Sequence, residues 1–211
     1  MKCAIIFALI GCNAWVRPSP PPPDLRTPAE QQSYAVIVES HCSNSFEEKH
    51  NTGSGVMVSD WQVLTALHVV DCQASIPDIH VTTRNGRWRF SPEKEWRKSD
   101  VARIQISSAD NLKQRVNPPA IRSSALASFE PVYVQAAWPY ADEVIGQSTG
   151  YSNAFGGIGY GGTFSYHAQT QPGNSGSGVY DCENRLVGIH IKHADTGVGY
   201  ASYVTSDMIP R

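Results

Sequence analysis

Charge is scarce in this sequence and neither sign dominates. Of 211 residues, 17% are charged, with Lys+Arg 17 against Asp+Glu 19 and a formal net charge of -2. Such a chain lacks the basic field that draws proteins to nucleic acid, so no nucleic-acid partner is expected. No long stretch repeats apolar residues with helical period, and there are no heptads or internal repeats, which excludes coiled coils and repeat arrays. The glycines Gly156-Gly157-Ile158-Gly159 lack the strand-to-helix context of a phosphate cradle, and no cofactor is expected. The histidines at 41, 50, 68, 80, 167, 190 and 193 and the cysteines show no paired ligand spacing, so no metal site is expected either. What is present is a 41% hydrophobic fraction, enough for a real core, in short runs rich in Val, Ile, Thr and Tyr between scattered Gly 17 and Pro 14. The composition is that of an all-β chain.

The first thirty residues differ from the rest. Met1 and Lys2 precede an apolar run, Ala4 to Ile10, too short to span a bilayer, which reads as a targeting signal over residues 1–11. The run ends Leu9-Ile10-Gly11-Cys12, which resembles a bacterial lipobox and makes Cys12 a lipidation site and membrane anchor. Cleavage after Ala14 and an uncleaved apolar terminus are the alternatives; the first two readings both imply export. Arg17-Pro18-Ser19-Pro20-Pro21-Pro22-Pro23-Asp24 removes backbone donors and fixes φ, so residues 12–30 read as an extended stalk. At about 3.1 Å per residue it reaches roughly 55 Å. A disordered leader, or a proline-rich ligand for a partner, stays open beside it.

From residue 31 the apolar runs are separated by turn residues. Strands are expected at Tyr34 to Val38, Gly55 to Val58, Trp61 to Leu67, Ile79 to Thr83, Arg87 to Phe90 and Val101 to Ile106, with a polar loop through His50 and Asn51. A polar connection, residues 113–130, leads to a second set: Val132 to Ala137, Val144 to Tyr151, Gly161 to His167, Gly178 to Tyr180, Leu186 to Ile191 and Gly199 to Val204. The halves are therefore 31–112 and 131–211, and runs of this number and spacing indicate sandwiches or barrels.

Three segments carry candidate chemistry. In Leu64-Thr65-Ala66-Leu67-His68-Val69-Val70 a histidine closes an apolar strand; in Ser99-Asp100-Val101-Ala102-Arg103-Ile104 an aspartate opens one; in Pro172-Gly173-Asn174-Ser175-Gly176-Ser177-Gly178 a serine sits in a glycine-rich turn. A serine hydroxyl is protonated at neutral pH and needs a base within reach, which imidazole supplies. The imidazole in turn needs one tautomer and stabilisation when positive, which a buried carboxylate provides. Asp100 is the candidate, in preference to Asp71. Backbone N–H groups of Gly173 and Ser175 would converge on the oxygen that becomes negative during acyl transfer.

The motifs T-A-x-H at Thr65 to His68, D-[IVL]-A at Asp100 to Ala102 and G-[DN]-S-G-[SG] at Gly173 to Ser177 resemble, in that order, those of the trypsin-like, chymotrypsin-fold serine peptidases. The resemblance covers about residues 31–206. It implies two six-stranded antiparallel β-barrels with the site in the cleft between them, a protein or peptide substrate, a monomer, and His68, Asp100 and Ser175 as the triad. Asn174 departs from the aspartate whose ion pair with a freed N-terminus switches on digestive members, so activation by cleavage is not expected. Gly178 stands where many bacterial members carry proline. Thr170 and His190 resemble the residues with which glutamyl endopeptidases grip a substrate carboxylate, and Lys192 and His193 lie on the same strand. Cleavage after Glu, less readily Asp, is one reading; the other is an internally bonded His190 and a pocket for small or neutral residues. The family often ties the region after the histidine to the preceding strand, which implies a Cys42–Cys72 disulfide and leaves Cys182 free. A trypsin-fold binding protein without catalysis is the competing class.

Overall fold

The computed structural model describes residues 34–43, 48–72, 77–83, 86–106, 117–137, 148–153, 162–168, 170–194 and 197–209. The expected signal sequence, Cys12, the stalk, residues 144–147 of an expected strand and the glycines at 156, 157 and 159 lie outside them. Among the described residues twelve strands form two closed antiparallel barrels of six. The first contains β1 (Ala35–Ser43), β2 (Glu48–Ser59), β3 (Gln62–Ala66), β4 (Asp78–Thr83), β5 (Gly86–Trp96) and β6 (Val101–Ile106). The second contains β7 (Pro131–Gln135), β8 (Ser148–Asn153), β9 (Thr163–His167), β10 (Gly178–Asp181), β11 (Leu186–Ala194) and β12 (Val198–Tyr203). This is the two-barrel architecture that the sequence resemblance implied.

Alternation explains why these segments are strands. Along β1, Val36, Val38, Ser40 and Cys42 are buried while Ile37, Glu39 and His41 are more open, the period of a sheet with one wet face. Two expectations need correction. His50 and Asn51 belong to β2, not to a loop, because the β1–β2 ladder continues past the apolar part, pairing Ser40 with Asn51 and His41 with His50. β5 runs on to Trp96, beyond Phe90, accommodating Pro92 at a register shift opposite β6. Neither extension carries an apolar alternation, so hydrophobic pattern alone does not reveal it.

One core fills the first barrel around Val36, Val38, Val56, Leu64, Ile79 and Ile104, and it reaches across the cleft to Leu186, Ile189, Val204 and Met208. A second fills the other barrel around Val134, Phe164, Tyr166 and Val187. Polar bonds also stitch the barrels. Ser54 N–H donates to the Ser175 carbonyl at 2.7 Å, and Ser54 Oγ–H is shared between the carbonyls of Ala137 at 2.8 Å and Gly173 at 3.0 Å. Ser202 Oγ–H donates to the Ser99 carbonyl, and Trp96 Nε1–H to Asp207 at 2.8 Å. The connection docks through Arg122, which pairs with Glu130 and with Asp181, a fully buried carboxylate that also binds Arg185.

Cys42 and Cys72 form a disulfide, with a sequence separation of 30, that ties the end of β1 to the chain just beyond His68. In chain-entropy terms a loop of that size is worth about 3 to 4 kcal/mol. Cys182 takes part in no disulfide among the described residues and is half-buried.

Ser54 is wholly buried and its hydroxyl holds the two barrels together, so Ser54→Ala strands the amide of Ala137 and loses the carbonyl contacts. A cost of about 1–3 kcal/mol is expected, read as a lower denaturation midpoint with unchanged slope. A variant as stable as the parent would show that this seam carries no energy.

Candidate active site

His68 sits in a single helical turn, α1 (Leu67–Val70), immediately after β3. Leu67, Val69 and Val70 are buried while His68 faces outward, because Leu67, Val69 and Val70 anchor the turn to the barrel. The turn is fastened from three sides: Ser40 Oγ–H donates to the Val69 carbonyl at 2.5 Å, Asp71 N–H to Leu67 at 2.8 Å, and the disulfide follows directly.

Asp100 meets it from the start of β6. A 3-10 turn over Arg97–Ser99 ends on Asp100 at φ 50, a left-handed conformation that aspartate tolerates better than most side chains. That geometry lets one residue make three bonds to the histidine turn. Its carbonyl accepts Leu67 N–H at 2.9 Å, its Oδ1 accepts His68 N–H at 3.1 Å, and its Oδ2 accepts His68 Nδ1–H at 2.6 Å. The carboxylate was expected to be buried, but its side chain is 34% exposed and that of His68 47%. The reason is position: Asp100 lies on the turn leading into β6, at the barrel rim and not inside it. Asp71 is engaged elsewhere, by Arg97 at 3.2 Å.

Ser175 comes from the other barrel, on the turn before β10. Asn174, 5% exposed, staples that turn: its Oδ1 accepts Gln171 N–H at 2.6 Å, its N–H donates to the Gln171 carbonyl at 3.0 Å, and its carbonyl accepts Ser177 N–H at 2.9 Å. Gly173 at φ 93 and Gly176 at φ 91 give the turn its shape. Gly176 admits no side chain, since a Cβ there would lie 1.8 Å from the Ser54 carbonyl oxygen. The N–H groups of Gly173 and Ser175 make no hydrogen bond among the described residues, as an anion-binding pair requires. The structure thus brings His68 and Asp100 into direct contact and sets the serine turn across the cleft. Ser175 Oγ makes no hydrogen bond to His68, a separation common before substrate is bound.

The expected pocket residues fall into two groups. His190, 1% exposed, is locked beside the serine turn: its carbonyl accepts Gly176 N–H and its N–H donates to the Ser177 carbonyl, each at 2.8 Å. Its Nδ1 faces the hydroxyl of Tyr166 at 2.5 Å. Among the described residues its Nε2 is buried without a hydrogen-bond partner, as is Thr170 Oγ1. Lys192 and His193 lie beyond a register shift in β11 and are exposed, Lys192 Nζ resting 5.1 Å from the Tyr200 ring centre. Burial pushes the pKa of His190 from 6.5 down to about 3, helped by the nearby His193 and His68 and opposed by the Tyr200 backbone carbonyl. The ring is therefore neutral. Sequence reasoning missed Tyr166 and Ser54; the available signal for Tyr166 was a tyrosine at an inward position of β9, whose hydroxyl must find a partner when buried.

A two-barrel fold with a histidine–carboxylate pair facing a serine turn across the interbarrel cleft defines the chymotrypsin-type serine peptidases. The family model described as a trypsin-like peptidase domain matches residues 53–189, which contain all three segments, and the chain belongs to this family. It is a serine endopeptidase acting on a protein or peptide substrate. No curated protein sequence matches the chain significantly. Among solved structures it is similar to the active form of the Rv3671c protease from M. tuberculosis, at 17% identity and a TM-score of 0.66 over 88% of this chain and 84% of that one. It is also similar to a serine protease of human pathogenic astrovirus, at 20% identity and a TM-score of 0.59 over 86% and 94%. These likenesses carry the fold.

The neutral His190 couples stability to pH. Unfolded, it titrates near 6.5; folded, near 3, so between these values only the unfolded chain takes up the proton. Its contribution is present above pH 6.5 and declines as pH falls towards 3, by on the order of 1.4 kcal/mol per pH unit. Denaturant titrations at pH 7, 5.5 and 4 are expected to show a shallower acid loss for His190→Gln than for the parent; parallel losses would contradict this.

Proposed function

We propose that Ser175 is the nucleophile, His68 its general base and Asp100 the residue that orients and stabilises His68. The supporting observation is the three-bond clamp of Asp100 on the Leu67–His68 segment. Because Nδ1 donates to Asp100, the lone pair of the neutral ring lies on Nε2. That nitrogen takes the Ser175 proton as Oγ attacks the scissile carbonyl, and returns it to the leaving amine. The carbonyl oxygen, now negative, is held by the N–H groups of Gly173 and Ser175. Water, activated by the same histidine, then hydrolyses the acyl-enzyme.

The pocket reading is cleavage after Glu, less readily Asp. It is supported by two buried polar atoms that no described protein group meets, Thr170 Oγ1 and His190 Nε2, since buried polar groups in native proteins nearly always have a hydrogen-bond partner. The substrate's carboxylate oxygens are the complement. Export is supported by the targeting features of residues 1–11, and the Cys42–Cys72 bridge agrees with an oxidising compartment. Lipid on Cys12 and the proline stalk would hold the monomeric enzyme at a membrane surface. Radiolabelled palmitate incorporated by the full chain and lost in Cys12→Ala is expected; equal labelling of both removes the anchor.

Fluorophosphonate treatment is expected to add one adduct by intact mass, absent in Ser175→Ala and in His68→Ala. Asp100→Asn is expected to lower kcat by about 10⁴-fold, since the wrong histidine tautomer is then favoured. A folded protein that takes no adduct between neutral and mildly alkaline pH would be a binding module.

Peptides differing only in the residue before the scissile bond are expected to be cut faster after Glu than after Leu or Ala. Equal or better cutting after Leu or Ala removes the acid-pocket reading.

A further inference from the structure

A buried phenol must place its hydrogen somewhere. Tyr166 is fully buried on β9, and among the described residues its hydroxyl has one hydrogen-bond partner, His190 Nδ1 on β11; to reach it the ring crosses the strand between them, β12. Gly199 opens that path. It pairs with Tyr166 on one side and His193 on the other, and a Cβ there would lie 2.6 Å from Tyr166 Cζ. Three strands thus share one contact.

The direction of the hydrogen bond follows from counting donors. Burial holds the Tyr166 hydroxyl in its protonated form, its pKa raised well above the ordinary tyrosine value. If Nδ1 also carried hydrogen, two donors would face each other or the phenol hydrogen would be stranded, at a cost of about 1–3 kcal/mol. Donation from Tyr166 to Nδ1 avoids both. The one hydrogen of the neutral ring is then on Nε2, the nitrogen left without a partner in the interior. Beside burial, the groups that act on the ring are His193 and His68 through charge and the Tyr200 backbone carbonyl as a hydrogen-bond acceptor. None is a carboxylate that would hold a second proton on the ring.

We propose that Tyr166 is a positioning residue for specificity: by donating to His190 Nδ1 it fixes hydrogen on Nε2 and makes the pocket wall an uncharged donor that reads an oxygen of the substrate side chain, not its negative charge. This rests on the reading of Thr170 and His190 as the pocket for the residue before the scissile bond. Glutamine follows as a substrate residue beside glutamate. Its amide carbonyl meets the same two groups, and it enters without stripping water from a full charge. Leucine offers no acceptor and leaves both protein atoms unpaired.

The test uses the full chain labelled with ¹⁵N-histidine, with His190 assigned by its absence in His190→Gln, together with kcat/KM for matched Glu, Gln and Leu peptides. The parent is expected to show hydrogen on Nε2 of His190 and to cut the Glu and Gln peptides within about tenfold of each other, both faster than Leu. Tyr166→Phe is expected to lower the Glu:Leu and Gln:Leu ratios about tenfold, the worth of one positioned hydrogen bond. Gly199→Ala, which displaces the phenol sterically, is expected to do the same. A role confined to packing would slow all three peptides together, and that outcome overturns the proposal. Hydrogen on Nδ1 in the parent, in an enzyme whose Glu:Leu ratio does fall in His190→Gln, overturns the proposal alone. An unchanged ratio in His190→Gln overturns the pocket reading itself and the proposal with it.

Discussion

A peptidase whose histidine and serine come from different barrels works only if the barrels cannot slide, and here that constraint is a main-chain hydrogen bond, Ser54 N–H to the Ser175 carbonyl at 2.7 Å. The approach is so close that side chains are excluded on both sides of it. A Cβ at Gly53 would lie 2.7 Å from the Ser175 carbonyl oxygen, and one at Gly176 1.8 Å from the Ser54 carbonyl oxygen. The same Ser54 carbonyl accepts Thr65 Oγ1–H at 2.7 Å, and Thr65 is three residues before His68 on the adjoining strand. The serine turn is therefore registered against the strand that delivers the histidine, with one residue, Ser54, between them. The glycines next to Ser54 and Ser175 belong to this seam as much as to any oxyanion site.

Within that frame the two histidines near the cleft are held in opposite electrostatic settings. His68 is about half exposed and hydrogen-bonded to a carboxylate, which suits a ring that must become positive and then neutral again. His190 is enclosed, faces a phenol, and has its pKa pushed down to about 3 by burial, which suits a ring that stays neutral. One residue type does two jobs because one neighbour is an acceptor and the other a donor.

The catalytic candidates were legible because each was embedded in a short motif whose order along the chain was itself informative, and the barrels because most strands alternate in burial. The long ends of β2 and β5 were not legible, since their outer residues, such as His50, Asn51 and Lys94, pair through the backbone and bury little. Nor was the partial exposure of Asp100, which depends on a left-handed residue at the rim and not on any local composition. Tyr166 stayed hidden for a different reason. Its partner is 24 residues away and two strands across, and the residue that makes the contact feasible, Gly199, reveals itself only when a Cβ is imagined in place.

Asn174 shows how the turn stands without an ionic lock. An aspartate there would suit a family member that waits for a new N-terminus to pair with it; asparagine instead spends its side-chain oxygen on Gln171 N–H, three residues earlier. The remaining groups of the turn are met from outside: Gly176 and Ser177 by the backbone of His190, the Ser175 carbonyl by Ser54, and the Gly173 carbonyl by the Ser54 hydroxyl. The groups left over among the described residues are the amides of Gly173 and Ser175. Because His190 contributes both backbone groups to this set, the strand that carries its ring and the turn that carries Ser175 are one hydrogen-bonded unit. A shift of either carries the other, so the turn is held by neutral hydrogen bonds within the chain.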